Sequence, residues 1–220
     1  MGGELGPRTL VVYRIAQVCR RWRCLVLGSA SHLDLCLVCT YSTHVSDMLA
    51  RSPPLPLVIG HVEKPRDITG KDKDGIIFAL QHRDRVRRIR LQIPVPNLQK
   101  LIQVMNKEFP MLEYLFISPL TKQHEALLLP KTFQAPHLRH FILINFAFSI
   151  QSSLLTTTAG LVTLSLGFIS PSAYFHPGDL LIQLSLMPQL EALRVTSRSP
   201  IPHRIVEQLL YTPITTRYTP

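Results

Sequence analysis

Four cysteines, two neighbouring histidines and a run of arginines are the side chains of this sequence best suited to chemistry. Cys19, Cys24, Cys36 and Cys39 crowd into the first fifth of the 220 residues. Four thiols can hold zinc when two close pairs sit on tight turns. Here Cys36 and Cys39 flank Leu37-Val38 in a predicted strand, which sets them on opposite faces, and Cys19 falls in the apolar stripe of a predicted helix. Buried reduced thiols are therefore expected, and no metal. His137 and His140 straddle Leu138-Arg139 at the opening of a strand. That spacing also puts them on opposite faces, poorly placed for a shared metal, so a solvated or capping role is expected for both. The sequence holds no glycine-rich phosphate loop, no nucleophile elbow and no His-Glu-x-x-His pair. Its 14 acidic residues form no close carboxylate pair with a plausible partner. No enzyme activity and no cofactor are expected.

The remaining candidate is positive charge. Lys and Arg total 24 against 14 Asp and Glu, a formal net charge of +10, which admits acidic or nucleic-acid partners. Arg83, Arg85, Arg87, Arg88 and Arg90 concentrate part of it. Val86, Ile89 and Leu91 lie between them and fit a repeating pattern, so the arginines read as the exposed positions of a strand and of the loop leading into it. No aromatic residue interleaves with them to stack on bases. A solvated face, or one for an acidic partner, is expected in preference to nucleic acid.

The elements that must carry these residues follow from that pattern. Apolar residues make up 46% of the chain and aromatics only 7%, so the core must be aliphatic, and 18 prolines imply frequent turns. The pattern apolar-x-x-apolar-x-apolar occurs as Val86-x-x-Ile89-x-Leu91, Leu112-x-x-Leu115-x-Ile117, Leu138-x-x-Phe141-x-Leu143, Leu161-x-x-Leu164-x-Leu166 and Leu190-x-x-Leu193-x-Val195. The starts are 26, 26, 23 and 29 residues apart, the period of leucine-rich repeats. The alternating half of each pattern suits a short strand. Between strands, Leu98, Leu101, Ile102 and Met105 recur at helical spacing, and so do Leu180, Leu181 and Leu184 behind Pro177 and Asp179.

Weaker units reach back through Leu33, Leu35 and Leu37 and through Leu55, Leu57 and Ile59. Short helices are expected around Val45, Met48 and Leu49 and around Ile76, Ile77 and Leu80, with Lys64–Asp74 as an exposed charged loop. The expected fold is α/β: a leucine-rich-repeat-like solenoid of about seven parallel strands alternating with helices, preceded by a short N-terminal helix. The boundaries are 1–30 for that helical part, 31–199 for the repeats and 200–220 for an irregular tail. The competing architecture is an ordinary parallel sheet covered on both faces. The outward strand positions form the expected binding surface: Arg88, Arg90, Gln92, Tyr114, Phe116, His140, Ile142, Thr163, Ser165 and Arg194.

Residues 12–27 carry Ile15, Val18, Cys19, Trp22, Leu25 and Val26 on one helical face, opposite Arg14, Gln17, Arg20, Arg21 and Arg23. By itself this is an amphipathic helix whose stripe packs on the first repeat. Val18-Cys19-Arg20-Arg21-Trp22-Arg23, followed by a short loop and a Leu-x-Leu-x-Leu strand, resembles the end of an F-box. Later text is similar to F-box proteins of mushroom-forming fungi: Pro54-Leu55-Pro56-Leu57-Val58-Ile59, Ala79 to Val86, Phe109-Pro110-Met111-Leu112 and Ala135-Pro136-His137-Leu138-Arg139. The resemblance runs over roughly residues 12 to 199.

It implies a substrate receptor of a cullin–RING ubiquitin ligase. Ile15, Val18, Cys19, Trp22 and Leu25 would meet the ligase adaptor protein, and the repeat surface would hold an unidentified substrate protein near the ligase. Met1–Thr9 is short, Gly-rich and unlike the Leu-Pro-x-Glu-like opening of an F-box. The match therefore covers only the closing helix, as in a truncated reading of the gene or a degenerate paralogue. The alternatives are a basic nucleic-acid-binding repeat protein and a fragment without a ligase role. No secretory signal or membrane-length apolar stretch is visible, so a cytoplasmic or nuclear location without a membrane partner is expected.

Overall fold

The computed structural model describes residues 19–21, 24–25, 36–62, 68–120, 127–147, 152–169 and 175–197. In chain order the elements are β1 (Leu37–Cys39), α1 (Val45–Arg51), β2 (Leu57–His61), α2 (Gly70–Gln81), β3 (Val86–Ile93), α3 (Val95–Val104) and β4 (Tyr114–Pro119). There follow β5 (Leu127–Leu128), β6 (His140–Ile144), β7 (Phe146–Ala147), α4 (Ser153–Thr157), β8 (Thr163–Ile169), α5 (Pro177–Ser185) and β9 (Ala192–Ser197).

Seven strands form one parallel sheet in the order β1-β2-β3-β4-β6-β8-β9, and β5 and β7 pair separately. Each strand of the large sheet thus lies beside the one before it in the chain. The register explains the periodicity. Cys39, Ile59, Ile89, Leu115, Phe141, Leu164 and Leu193 are Cα partners in a single row across the sheet. From Ile89 onward the steps along that row are 26, 26, 23 and 29 residues, the spacings of the sequence pattern. Leu112, Leu138 and Leu161, which open the patterns, are fully buried.

Where each of these later strands begins, one backbone carbonyl accepts two hydrogen bonds. Glu113 O takes Arg139 N (2.9 Å) and His140 N (3.0 Å), Arg139 O takes Val162 N (2.8 Å) and Thr163 N (2.9 Å), and Val162 O takes Glu191 N (2.9 Å) and Ala192 N (3.1 Å). The turns ahead of the strands are thereby locked to one another, which satisfies backbone groups that burial would otherwise leave costly.

Right-handed crossovers between parallel strands advancing in one direction put every connection on the same side of a sheet. The burial fits that rule. In β2, β3 and β6 alternate residues are buried and share a cluster with Ile76 and Leu80 of α2 and with Leu98, Leu101 and Ile102 of α3. Each fully buried Leu, Ile or Phe contributes roughly 1.5–3 kcal/mol. In these three strands the intervening residues are half-buried or exposed, whereas in β4 Ser118 on the same face is buried. A sheet covered on both faces buries such positions more fully. α1 packs on α2 and α2 on α3. At Gly75 of α2 an added Cβ would come within 3.2 Å of Val45 Cγ2 at the start of α1, so glycine permits the close approach.

The helix starts follow local chemistry. α2 opens on a capping box: Thr69 Oγ1 accepts from Asp72 N at 3.2 Å, and Asp72 Oδ2 accepts from Thr69 N at 3.0 Å. Asp72 also ties the helix to the preceding unit, because its Oδ1 accepts from Ser42 N at 2.6 Å, with Ser42 held at φ 61°. Beside it, His61 closes β2 at 1% exposure, its ring edge-on to Tyr41 with centroids 4.7 Å apart, and its Nδ1 has no hydrogen-bond partner. In α5 Pro177 takes the first helical position, and His176 caps the helix by accepting from Gly178 N at 3.1 Å.

Several expectations change. Of the expected charged loop Lys64–Asp74, residues 70–74 are helical and Asp72 is buried rather than exposed, and residues 64–67 lie outside the described residues. Leu181 turns away from the α5 stripe to 39% exposure, while Leu180 is buried. Cys36 and Cys39 do not take opposite environments: Cys36 precedes β1 and both are buried. Burial pushes the Cys39 thiol up to about 11 against the opposing charge of Arg85. Leu33, Leu35 and the tail from 200 to 220 lie outside the described residues. Among the described residues no helix is long and apolar enough to cross a membrane.

Candidate functional site: the open face of the sheet

All ten outward residues singled out by the strand alternation share one face. Arg88, Tyr114, His140 and Thr163 are Cα partners in one row, and Arg90, Phe116, Ile142, Ser165 and Arg194 form the next. Gln92 begins a third row, opposite Ser118. Arg88 and Arg194 are exposed and the other eight half-buried. The structure therefore assembles a contiguous surface from residues scattered over more than 100 positions.

The surface is preorganised from within. The Arg90 guanidinium lies over the Phe116 ring, 5.6 Å from its centroid, a cation–π contact that also restricts the arginine. Tyr114 and His140 rings pack at 5.9 Å. His140 Nδ1 lies 3.1 Å from Thr163 Oγ1. Burial first, then the charges of Arg139 and Arg88, hold His140 below the usual histidine range, against the pull of Glu113 and Glu191. His140 is thus a half-buried hydrogen-bonding member of the face. The sheet also supplies the aromatics that the arginine run lacks in sequence: Tyr114 is the partner of Arg88, and Phe116 of Arg90.

Two arginines of the run belong to the scaffold rather than to the surface. Arg85 donates from Nε to Leu55 O (3.0 Å) and from a terminal nitrogen to Pro53 O (3.1 Å), pinning the turn before β2. Arg87 Nε pairs with Glu113 Oε2 at 2.9 Å. Their sequence separations from these partners hide such roles from local pattern.

A second concavity escaped the sequence reading. Met111, Glu113, Pro136, His137, Arg139, Gly160 and Gln189 line a groove of about 480 Å³ along the turns that lead into β4, β6, β8 and β9. Its signal was present, because these residues flank the leucine that opens each pattern: Met111 and Glu113 about Leu112, His137 and Arg139 about Leu138, Gly160 before Leu161 and Gln189 before Leu190.

The N-terminal candidates are less well placed. Ile15, Val18 and Trp22 lie outside the described residues. Arg20, Arg21, Cys24 and Leu25 are helical, with Cys19 just ahead of them. Cys19 is exposed and Leu25 is 58% exposed, so these two do not pack on the first unit as an amphipathic stripe would. Among the described residues no group of three or more His, Cys, Asp or Glu gathers to hold a metal ion. No family model, curated protein or solved structure matches the chain.

Proposed function

We propose that the chain is a protein-interaction module built as a leucine-rich-repeat-like solenoid. It acts as the substrate receptor of a cullin–RING ubiquitin ligase, and the open sheet face selects the protein to be ubiquitinated. One observation carries the interaction reading: the two complete rows through Arg88 and Arg90 form a contiguous half-exposed surface of arginine, aromatic, aliphatic and hydroxyl side chains. Arginine and aromatic residues are the side chains enriched where proteins bind one another. The strictly chain-ordered sheet with one open face supports the solenoid. The ligase role rests on the resemblance of Val18–Arg23 to the close of an F-box, which would place Ile15, Val18, Cys19, Trp22 and Leu25 against the adaptor.

Co-precipitation tests both halves. The chain should retain the ligase adaptor, and a Phe116→Glu, Ile142→Glu variant should keep the adaptor while losing its other partners. No adaptor retention would remove the ligase role. An unchanged set of partners in the double variant would remove the face.

A basic nucleic-acid-binding role is the second reading, favoured by Tyr114 and Phe116 lying beside Arg88 and Arg90. Base stacking needs free ring faces, and Arg90 already covers one face of Phe116. The protein-partner reading is therefore preferred.

A further inference from the structure

The charge on the open face is of one sign and sits on β3 and on the edge strand β9. Among the described residues the outward positions of the seven strands include Arg88, Arg90 and Arg194 and no aspartate or glutamate. The row Arg90–Phe116–Ile142–Ser165–Arg194 shows the arrangement directly, with a cation at each end and an aromatic, an aliphatic and a hydroxyl side chain between them. Among the described residues neither cation is in an ion pair: Arg194 is exposed, and Arg90, half-buried, has a ring contact and a buried Nε without a hydrogen-bond partner. Beyond Arg90 the same row reaches Gly60, where an added Cβ would meet only Thr40 Cγ2 at 3.9 Å, so that end stands clear.

We propose that this row binds an extended, acidic-ended peptide segment laid across the strands, a partner class that rests on the reading of the face as a protein-binding surface. Neighbouring strands lie about 4.8 Å apart, so four strand steps separate Arg90 from Arg194 by about 19 Å. An extended chain advances about 3.3 Å per residue, and about six residues span that distance. The segment therefore carries one carboxylate at each end of a stretch of about seven residues, with apolar side chains over Phe116 and Ile142 and a polar group at Ser165. Two cations at fixed spacing favour acids at matching spacing, because a segment with the wrong separation satisfies only one of them. A nucleic-acid strand prefers an unbroken cationic track along its backbone, and Ile142 interrupts any such track here.

The full chain would be titrated with fluorescein-labelled heptapeptide pools whose interiors are randomised. One pool carries Asp at both ends, a second carries two Asp at adjacent positions, and a third carries Lys at both ends. The first pool should bind at least about tenfold more tightly than the others, a difference of about 1.4 kcal/mol. Arg194→Glu and Arg90→Glu should each weaken it at least about tenfold, and a pool with Asp at one end and Lys at the other should recover binding to either variant. Arg194→Glu alters an exposed residue, so it tests the proposal even where Arg90→Glu disturbs folding.

Equal binding of the Asp-ended and Lys-ended pools, both lost on Phe116→Ala, would overturn the acidic specificity while leaving the face as the binding surface. No binding by any pool would overturn both. Binding of a labelled single-stranded RNA that the two charge reversals abolish, with no peptide binding, would overturn both in favour of nucleic acid.

Discussion

Asp72→Ala should destabilise the chain by about 3 kcal/mol although it removes no apolar contact. The carboxylate accepts from Ser42 N at 2.6 Å, from Thr69 N at 3.0 Å and from Thr69 Oγ1 at 2.6 Å. A hydrogen bond to a charged group contributes about 1.5–3 kcal/mol, and loss of an N-terminal cap costs about 0.5–2 kcal/mol. Ser42 and Thr69 are themselves exposed, so water recovers part of the loss and the sum falls near the lower end. For a chain of this size that is a drop of about 6–12 °C in Tm. Asp72→Asn retains one acceptor oxygen for Ser42 but turns an amide NH2 toward Thr69, and should cost about half as much. Urea denaturation followed by far-UV circular dichroism, with an unchanged slope, measures both. A loss below about 1 kcal/mol in Asp72→Ala would refute the capping account, as would an Asp72→Asn variant as stable as the original chain.

Three further outcomes are expected. Burial pushes His61 down to about 4 against the opposing charge of Asp72, so between pH 6.5 and 4 the unfolded chain binds a proton that the folded chain refuses. Stability is then full above pH 6.5 and falls with pH, by about 2 kcal/mol at pH 5; His61→Phe should remove that slope in urea midpoints, and an unchanged slope would count against it. Phe168 sits at φ 53° and is 52% exposed, a strained backbone with little burial to lose, so Phe168→Gly should be more stable than Phe168→Ala by about 1 kcal/mol, and the reverse order in thermal melts would contradict the strain. Cys19 and Cys24 are exposed while Cys36 and Cys39 are buried, so a thiol reagent should label two cysteines rapidly and two only on unfolding; four equal rates would be inconsistent with the fold.

Much of the architecture was legible in sequence because one buried row repeats at almost constant spacing. Ile89, Leu115, Phe141 and Leu164 each sit at the same place in their pattern and meet as register partners. The open face followed from the same alternation. What stayed hidden depends on contacts between distant positions. Lys71–Asp74 reads as a charged loop until Asp72 is seen reaching Ser42, 30 residues away. Arg85 and Arg87 look like surface charge until Leu55 and Glu113 fold against them. The pair β5 and β7 has two residues per strand, too short for any periodicity. The groove was missed because the turn residues that flank the repeated leucines vary in type from unit to unit.

The chain-ordered sheet also makes the protein extensible. The steps between register partners range from 20 to 30 residues, yet the row stays buried from Cys39 through Leu164 and is exposed only at Leu193 on the edge strand. Differences in length are absorbed away from the open face. Duplicating one unit between β4 and β8 would widen that face by about 4.8 Å, the spacing of a single strand, without altering the side chains at either end. A partner held at both ends would then have to lengthen by between one and two residues. The fold is in this sense a ruler, graduated in strands, whose reach changes by whole units while its core stays as it is.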